Sequence, residues 1–241
     1  MNRQQIRQAL LLLLFVSLPV TLFYISPIIL LMGLSEGIAT GSMVLFMVTF
    51  LLSLVIGRFW CGWFCPIGEF QELCSGIQNQ PVTGGRLNLI KYGVWALWLL
   101  LVILAVTAAG GIHAVNIFYS TNSGISLTEP ISYVVFFIIL AGVFLLAVFA
   151  GKRGFCHYLC PICVNFIIGR KIRNLFRWPA LHLTGDSTRC TSCNKCTKAC
   201  PMGLDVQNMV KKDHMENTEC ILCASCADIC SKKAISYGFQ K

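Results

Sequence analysis

Four long apolar runs separated by short polar stretches fill the first 150 residues. Beyond them the pattern changes to short alternations of charge, small residues and cysteine. The first run covers residues 9–31 and contains Pro19 and Pro27; the others cover 38–56, 92–109 and 131–150. A helix rises about 1.5 Å per residue, so about twenty residues cross a hydrocarbon layer of roughly 30 Å. The pattern predicts four membrane helices in two tandem pairs. The first is bent at its prolines, which neighbouring helices accommodate in a bilayer. A cleaved leader is disfavoured, because the first run outlasts a signal core and has no small-x-small cleavage pattern.

Composition agrees with that division. The chain has 241 residues, 56% of them hydrophobic and 12% charged, which excludes an ordinary soluble domain. The expected boundary separates a membrane domain, residues 1–180, from a small tail, 181–241. Lysine and arginine are absent from residues 31–40 and 108–130, whereas Arg58, Arg86, Lys91, Lys152, Arg153 and Arg170 lie at the other helix ends. The positive-inside rule then puts both termini and the tail in the cytoplasm, as in a multi-pass inner-membrane protein. A reporter at Glu36 or Asn122 is expected to be reachable from outside, and one at Lys241 shielded. The basic stretch 170–178 reads as a linker lying against lipid headgroups. The formal net charge of +9 therefore points to membrane lipid and not to nucleic acid.

Fourteen cysteines carry the candidate chemistry. In the tail, Cys190-Thr-Ser-Cys193-Asn-Lys-Cys196-Thr-Lys-Ala-Cys200 and Cys220-Ile-Leu-Cys223-Ala-Ser-Cys226-Ala-Asp-Ile-Cys230 share the spacing C-x2-C-x2-C-x3-C. Such spacing lets three thiolates hold one iron–sulfur cube while the fourth turns to a neighbouring cube. Zinc sites use two C-x2-C pairs instead, and disulfides need an oxidising compartment. The tail resembles a bacterial two-cluster [4Fe–4S] ferredoxin, an α+β domain. That resemblance assigns Cys190, Cys193, Cys196 and Cys230 to one cluster, and Cys220, Cys223, Cys226 and Cys200 to the other. Ser231 departs from the pattern, which has proline there. The tail has few large apolar residues, so cluster ligation is expected to supply part of its folding energy.

A second set of cysteines lies in an internal repeat. Gly57-Arg58-Phe-Trp-Cys61-Gly-Trp-Phe-Cys65-Pro66 matches Gly151-Lys152-Arg153-Gly-Phe-Cys156-His-Tyr-Leu-Cys160-Pro161, and each follows an even-numbered apolar run. Parallel repeats of this kind are usually related by an axis along the membrane normal. Such an axis brings Cys61, Cys65, Cys156 and Cys160 around one point, where four thiolates could hold a third [4Fe–4S] cluster. Cys74 and Cys163 fall at non-equivalent places in the repeats. They are either bystanders to a shared cluster or additional ligands of two separate ones; the shared cluster is preferred.

The order of these motifs resembles the NapH-type ferredoxin-like membrane proteins, the membrane quinol-dehydrogenase subunit of a wider polyferredoxin family. The resemblance implies an iron–sulfur subunit passing electrons between the quinone pool and other redox subunits of a larger complex, with quinone as substrate. Its alternative is an accessory factor supplying electrons for assembly of a metalloenzyme. Glu69, Glu72 and His157 lie nearest the proposed third cluster and are the candidate quinone partners. Paired membrane-helix histidines and C-x-x-C-H are absent, as are Rossmann and P-loop glycine patterns, so haem, NAD(P), flavin and ATP are not expected.

Overall fold

The computed structural model describes residues 2–82 and 85–240. Met1, Thr83, Gly84 and Lys241, all within the expected domain boundaries, lie outside the described residues, as does the tail reporter position at Lys241.

The first apolar run is several elements and not one helix. Helix α1 (Arg3–Val16) stops where Pro19 enters the first turn of α2 (Leu18–Thr21), and the chain bends there by 60°. Proline removes a backbone donor and crowds the preceding turn, which explains the break. After a 3₁₀ turn (Leu22–Ile25), Ser26 accepts from the amides of Ile28 and Ile29 and Pro27 opens α3 (Pro27–Ser35). A serine cap followed by proline is a start signal, so Pro27 begins a helix where it was expected to bend one. The second run opens as strand β1 (Ile38–Thr40), and Thr40 then caps α4 (Gly41–Ile56). The 16 residues of α4 span about 24 Å, short of a full crossing.

Short helices α5 (Phe59–Trp63) and α6 (Pro66–Cys74) follow α4. Next come α7 (Ile90–Ala108), strand β2 (Ala114–Asn116), α8 (Pro130–Ala150), α9 (Gly154–Tyr158) and α10 (Pro161–Phe176). Among the described residues two helices are long and apolar enough to cross a membrane, Arg86–Ala108 and Pro130–Ala150. The bent pair Arg3–Val16 and Leu18–Ile25 makes a third candidate. Only 6% and 17% of the apolar windows of α7 and α8 are buried, so most of their apolar side chains face outward, as lipid contact requires.

The two cation-free loops meet at one end of the helices. Strand β1 pairs parallel with β2, from Ile38 opposite Ala114 to Thr40 opposite Asn116, and the His113 amide donates to Gly37 at 2.8 Å. The cysteine segments follow the other ends of α4 and α8 and repeat each other in detail. Gly57 and Gly151, at φ of 56° and 97°, end the long helices. The amides of Phe64 and Cys65 both reach the Trp60 carbonyl, as those of Leu159 and Cys160 reach Phe155. Cys65 and Cys160 then cap α6 and α10, each with proline in the first turn.

In the tail, strands β3 (Ala180–Gly185) and β4 (Ile235–Gln240) pair antiparallel, with helices α11 (Lys195–Lys198), α12 (Val206–Lys211) and α13 (Ser225–Asp228) between them. Met202, Val206, Val210, Met215, Ile221 and Leu222 form the core, and Cys61 and Phe166 of the preceding domain belong to the same buried cluster. The basic stretch begins inside a helix and not in a loop. Residues 170–176 continue α10, which packs on α4, and Arg170 is buried with both guanidinium edges on Glu216 and the Cys220 carbonyl.

Candidate iron–sulfur sites

The two cysteine loops of the tail share one backbone design. Ser192 and Asn194 flank Cys193 at φ of 57° and 59°, and Leu222 and Ala224 flank Cys223 at 53° and 62°. Left-handed backbone at non-glycine residues costs roughly 1–2 kcal/mol each, so a repeated pair of them marks a purpose. Alternation of left- and right-handed residues turns successive N–H groups into a concavity, the nest that receives anions and iron–sulfur clusters.

The thiols divide between two separate small cavities. Cys190, Cys193, Cys196 and Cys230 border the outer one; Cys200, Cys220, Cys223 and Cys226 border the inner one. The fourth cysteine of each motif thus sits with the first three of the other. Burial, and then the facing thiols of Cys223, Cys220 and Cys200, push the Cys226 thiol well up. Among the described residues no three His, Cys, Asp or Glu side chains converge on a single metal ion, and no cysteine is in a disulfide. The thiols surround a space and not a point. Four thiols around each space fit the donor set of a [4Fe–4S] cluster.

A third cavity lies between the two repeats. Cys61, Cys65, Cys156 and Cys160 all border it, with Cys163 beside them. Burial and then the facing Cys156 thiol raise the Cys65 thiol to about 11, so ionised thiolates here need a cationic centre such as iron. The Cys163 thiol donates to the Cys160 carbonyl at 2.9 Å. Cys74, buried at the end of α6, does not border this cavity. The space is larger than either tail cavity and continues along Leu22, Ile25, Pro27, Ile28 and Leu45.

Polar contacts join the third cavity to the inner tail cavity. Glu219, next to Cys220, receives the buried cations Arg58, at 2.8 Å, and Lys91. Trp63 donates its indole N–H to the Leu222 carbonyl at 3.2 Å, and Gln4 its amide to Cys223 at 2.9 Å. Arg3 pairs with Asp228. The acids Glu216, Glu219 and Asp228 therefore face the membrane domain. Cys193 is exposed on the outer loop.

The three candidate quinone residues are brought to different places. His157 is buried against the tail, with Nε2 3.2 Å from the Met202 carbonyl and Nδ1 4.0 Å from Glu219. Burial lowers its pKa to about 4, which keeps the ring neutral. Glu72 is held by Arg7, at 3.0 and 2.8 Å, and by Arg153. Burial alone raises its carboxyl, but Arg153 and Arg7 outweigh that and keep it below the usual range. Glu69 is 5% exposed, its Oε2 has no hydrogen-bond partner, and it borders a wide groove between α1, α6 and the Cys200-Pro201 corner. Burial and then Glu72 raise its carboxyl. Gln8, Leu12 and Leu73 line the same groove, so a polar end adjoins an apolar one.

Comparison with known proteins places iron–sulfur domains over the same regions. A 4Fe-4S binding domain model matches residues 38–80 and again 133–179, and a 4Fe-4S dicluster domain model matches 189–235. The chain is 26% identical over 199 residues to the uncharacterized protein MJ0749 of Methanocaldococcus jannaschii, covering 79% of this chain and 68% of that one. It is 26% identical over 249 residues to the putative electron transport protein YccM of Escherichia coli, covering 89% of this chain and 63% of YccM. It is 24% identical over 150 residues to the methylamine utilization ferredoxin-type protein MauN of Methylobacillus flagellatus, covering 60% of this chain and 48% of MauN. No solved structure matches. With repeated 4Fe–4S binding domains and two apolar helices long enough to cross a bilayer, this is a membrane iron–sulfur protein. Its domain matches and its relatives, among them a putative electron transport protein and a ferredoxin-type protein, make it similar to membrane-associated polyferredoxin-type electron-transport proteins.

Proposed function

We propose that the chain is a membrane-bound electron-transfer subunit working between the quinone pool and a redox partner complex. The carrying observation is the succession of three thiol-lined cavities, from the repeat to the inner and then the outer loop of the tail. Cys61, Cys65, Cys156 and Cys160 would hold one cluster, Cys200, Cys220, Cys223 and Cys226 a second, and Cys190, Cys193, Cys196 and Cys230 a third. Bound there, [4Fe–4S] clusters supply one-electron carriers.

The chain's own residues do the rest. Oxidation of a quinol releases two electrons and two protons; reduction of a quinone consumes the same. The groove beside Glu69 is proposed to take the quinone head, with Leu12 and Leu73 against its apolar part. Glu69, whose Oε2 is free, would hydrogen-bond the hydroxyl and accept its proton. Glu72 orients Arg7 and Arg153 and stays ionised, and His157 ties the membrane domain to the tail. The exposed Cys193 loop is the proposed exit to the partner. Both termini and the tail are proposed to be cytoplasmic, with four crossings made by the bent first segment, residues 38–56 (β1 with α4), α7 and α8.

The test is anaerobic mixing of purified protein in lipid discs with ubiquinol, menaquinol and their oxidised forms, read by electron paramagnetic resonance. Quinol reduction or quinone oxidation of the cluster signals is expected. No change with any of them, while dithionite reduces the clusters, overturns direct quinone chemistry.

A further inference from the structure

Each repeat carries an arginine three residues before its first cysteine, Arg58 before Cys61 and Arg153 before Cys156. Both are almost fully buried, at 0% and 1% exposure. Their hydrogen bonding is incomplete. Arg58 donates only from Nη1, to the Thr218 carbonyl at 3.0 Å and to Glu219 at 2.8 Å, so Nε and Nη2 have no partner. Arg153 donates from Nη1 to the Cys61 carbonyl at 2.8 Å and from Nη2 to Glu72, and its Nε has no partner. Buried guanidinium donors without acceptors are costly, so a missing acceptor is implied at both positions.

Charge points the same way. Glu219 meets both Arg58 and Lys91, and Glu72 meets both Arg7 and Arg153. Each carboxylate therefore faces two cations and cannot by itself satisfy both. The repeat cysteines lie beside both arginines: each arginine precedes one by three residues, and Arg153 Nη1 donates to the Cys61 carbonyl. Space is reserved as well, since a Cβ at Gly68 would lie 2.9 Å from Nη1 of Arg153.

We propose that Arg58 and Arg153 donate their free N–H groups to the sulfur atoms of an anionic cluster held between the repeats, and thereby raise its reduction potential. The proposal rests on the reading that the repeat cysteines bind a cluster. N–H donors and positive charge favour the electron-richer state of an iron–sulfur centre. The two arginines act through the ligands and are positioning residues.

The experiment is a redox titration of anaerobic protein carrying Arg153→Gln, Arg153→Lys, Arg58→Gln or Arg58→Lys, with iron counted in each sample. Each Gln variant is expected to disfavour the reduced third cluster by about tenfold, a downward shift of about 59 mV for one electron, with both tail clusters unmoved. Each Lys variant keeps the charge, loses the fork, and is expected to shift less. Loss of the third cluster's iron in the Gln variants, with retention in the Lys variants, also supports the assignment. Full iron with an unshifted potential in all four variants overturns it. Wild-type protein holding only the tail's iron would instead remove the cluster reading itself.

Discussion

Gly62 lies directly against the carbonyl of Ile221, so close that a Cβ at Gly62 would overlap it. Gly62 follows Cys61 at the repeat cavity, and Ile221 follows Cys220 at the inner tail cavity. Absence of a side chain at one residue thus brings two ligand loops together, with Cys61 and Cys223 in one buried cluster. Gly62→Ala is expected to open this contact. Overpacking of this kind costs typically 1–3 kcal/mol. Rapid-mix spectroscopy should show slower transfer between the repeat site and the tail, with iron content unchanged. Unchanged transfer would show that electrons take another route.

Glu219 is the anion that holds two buried cations, Arg58 and Lys91, from different helical segments. Removing one member of a buried ion pair leaves an uncompensated charge, costing about 3–5 kcal/mol. Glu219→Ala is expected to lower the melting temperature and let limited proteolysis release the tail. Neutral behaviour in both measurements would mean that the apolar contacts around Ile221 and Leu222 suffice for docking.

Glu69→Gln keeps the shape of the groove and removes the proton acceptor. Loss of a general base typically costs about 100-fold or more, so quinol-driven reduction should fall by about that factor. Dithionite-driven reduction should not change. Equal loss with both donors would indicate a damaged cluster site and not a quinone contact.

The paired loops at β1 and β2 make the outer end of the proposed topology. A small epitope inserted at Asn122 should be recognised in intact cells, and one placed on the tail at Lys232 only after permeabilisation. The reverse pattern would put the tail outside.

Much of this arrangement was legible in the sequence. The apolar runs at 92–109 and 131–150 became α7 and α8, and the paired C-x3-C-P segments became matching turns with Cys65 and Cys160 as caps. Local pattern carries such features because the interactions that make them are local. The first run misled because continuous hydrophobicity hides the helix start at Ser26-Pro27, which is a capping signal and not a break in polarity. Arg58, Lys91 and Arg170 read as charges orienting helices, yet the tail binds all three. Their partners lie 46 to 161 residues away in the chain, so no spacing rule finds them. The signal that was available was the acidic run Asp213, Glu216 and Glu219 leading into Cys220. Cys163 and Cys74 differ in the fold as they do in place: Cys163 lies in the first turn of α10 beside the repeat cavity, and Cys74 is the last residue of α6, away from it.

Iron and sulfide analysis of anaerobically purified protein, paired with cysteine substitutions, tests the three-site relay most directly. Two tail clusters require about eight irons per chain, and a cluster at the repeat raises that to about twelve. The proposed relay predicts about twelve, falling to about eight with Cys65→Ala or Cys160→Ala and staying at about twelve with Cys74→Ala or Cys163→Ala. An iron content of about eight in the unaltered protein would reduce the repeat cysteines to structural thiols and contradict the relay.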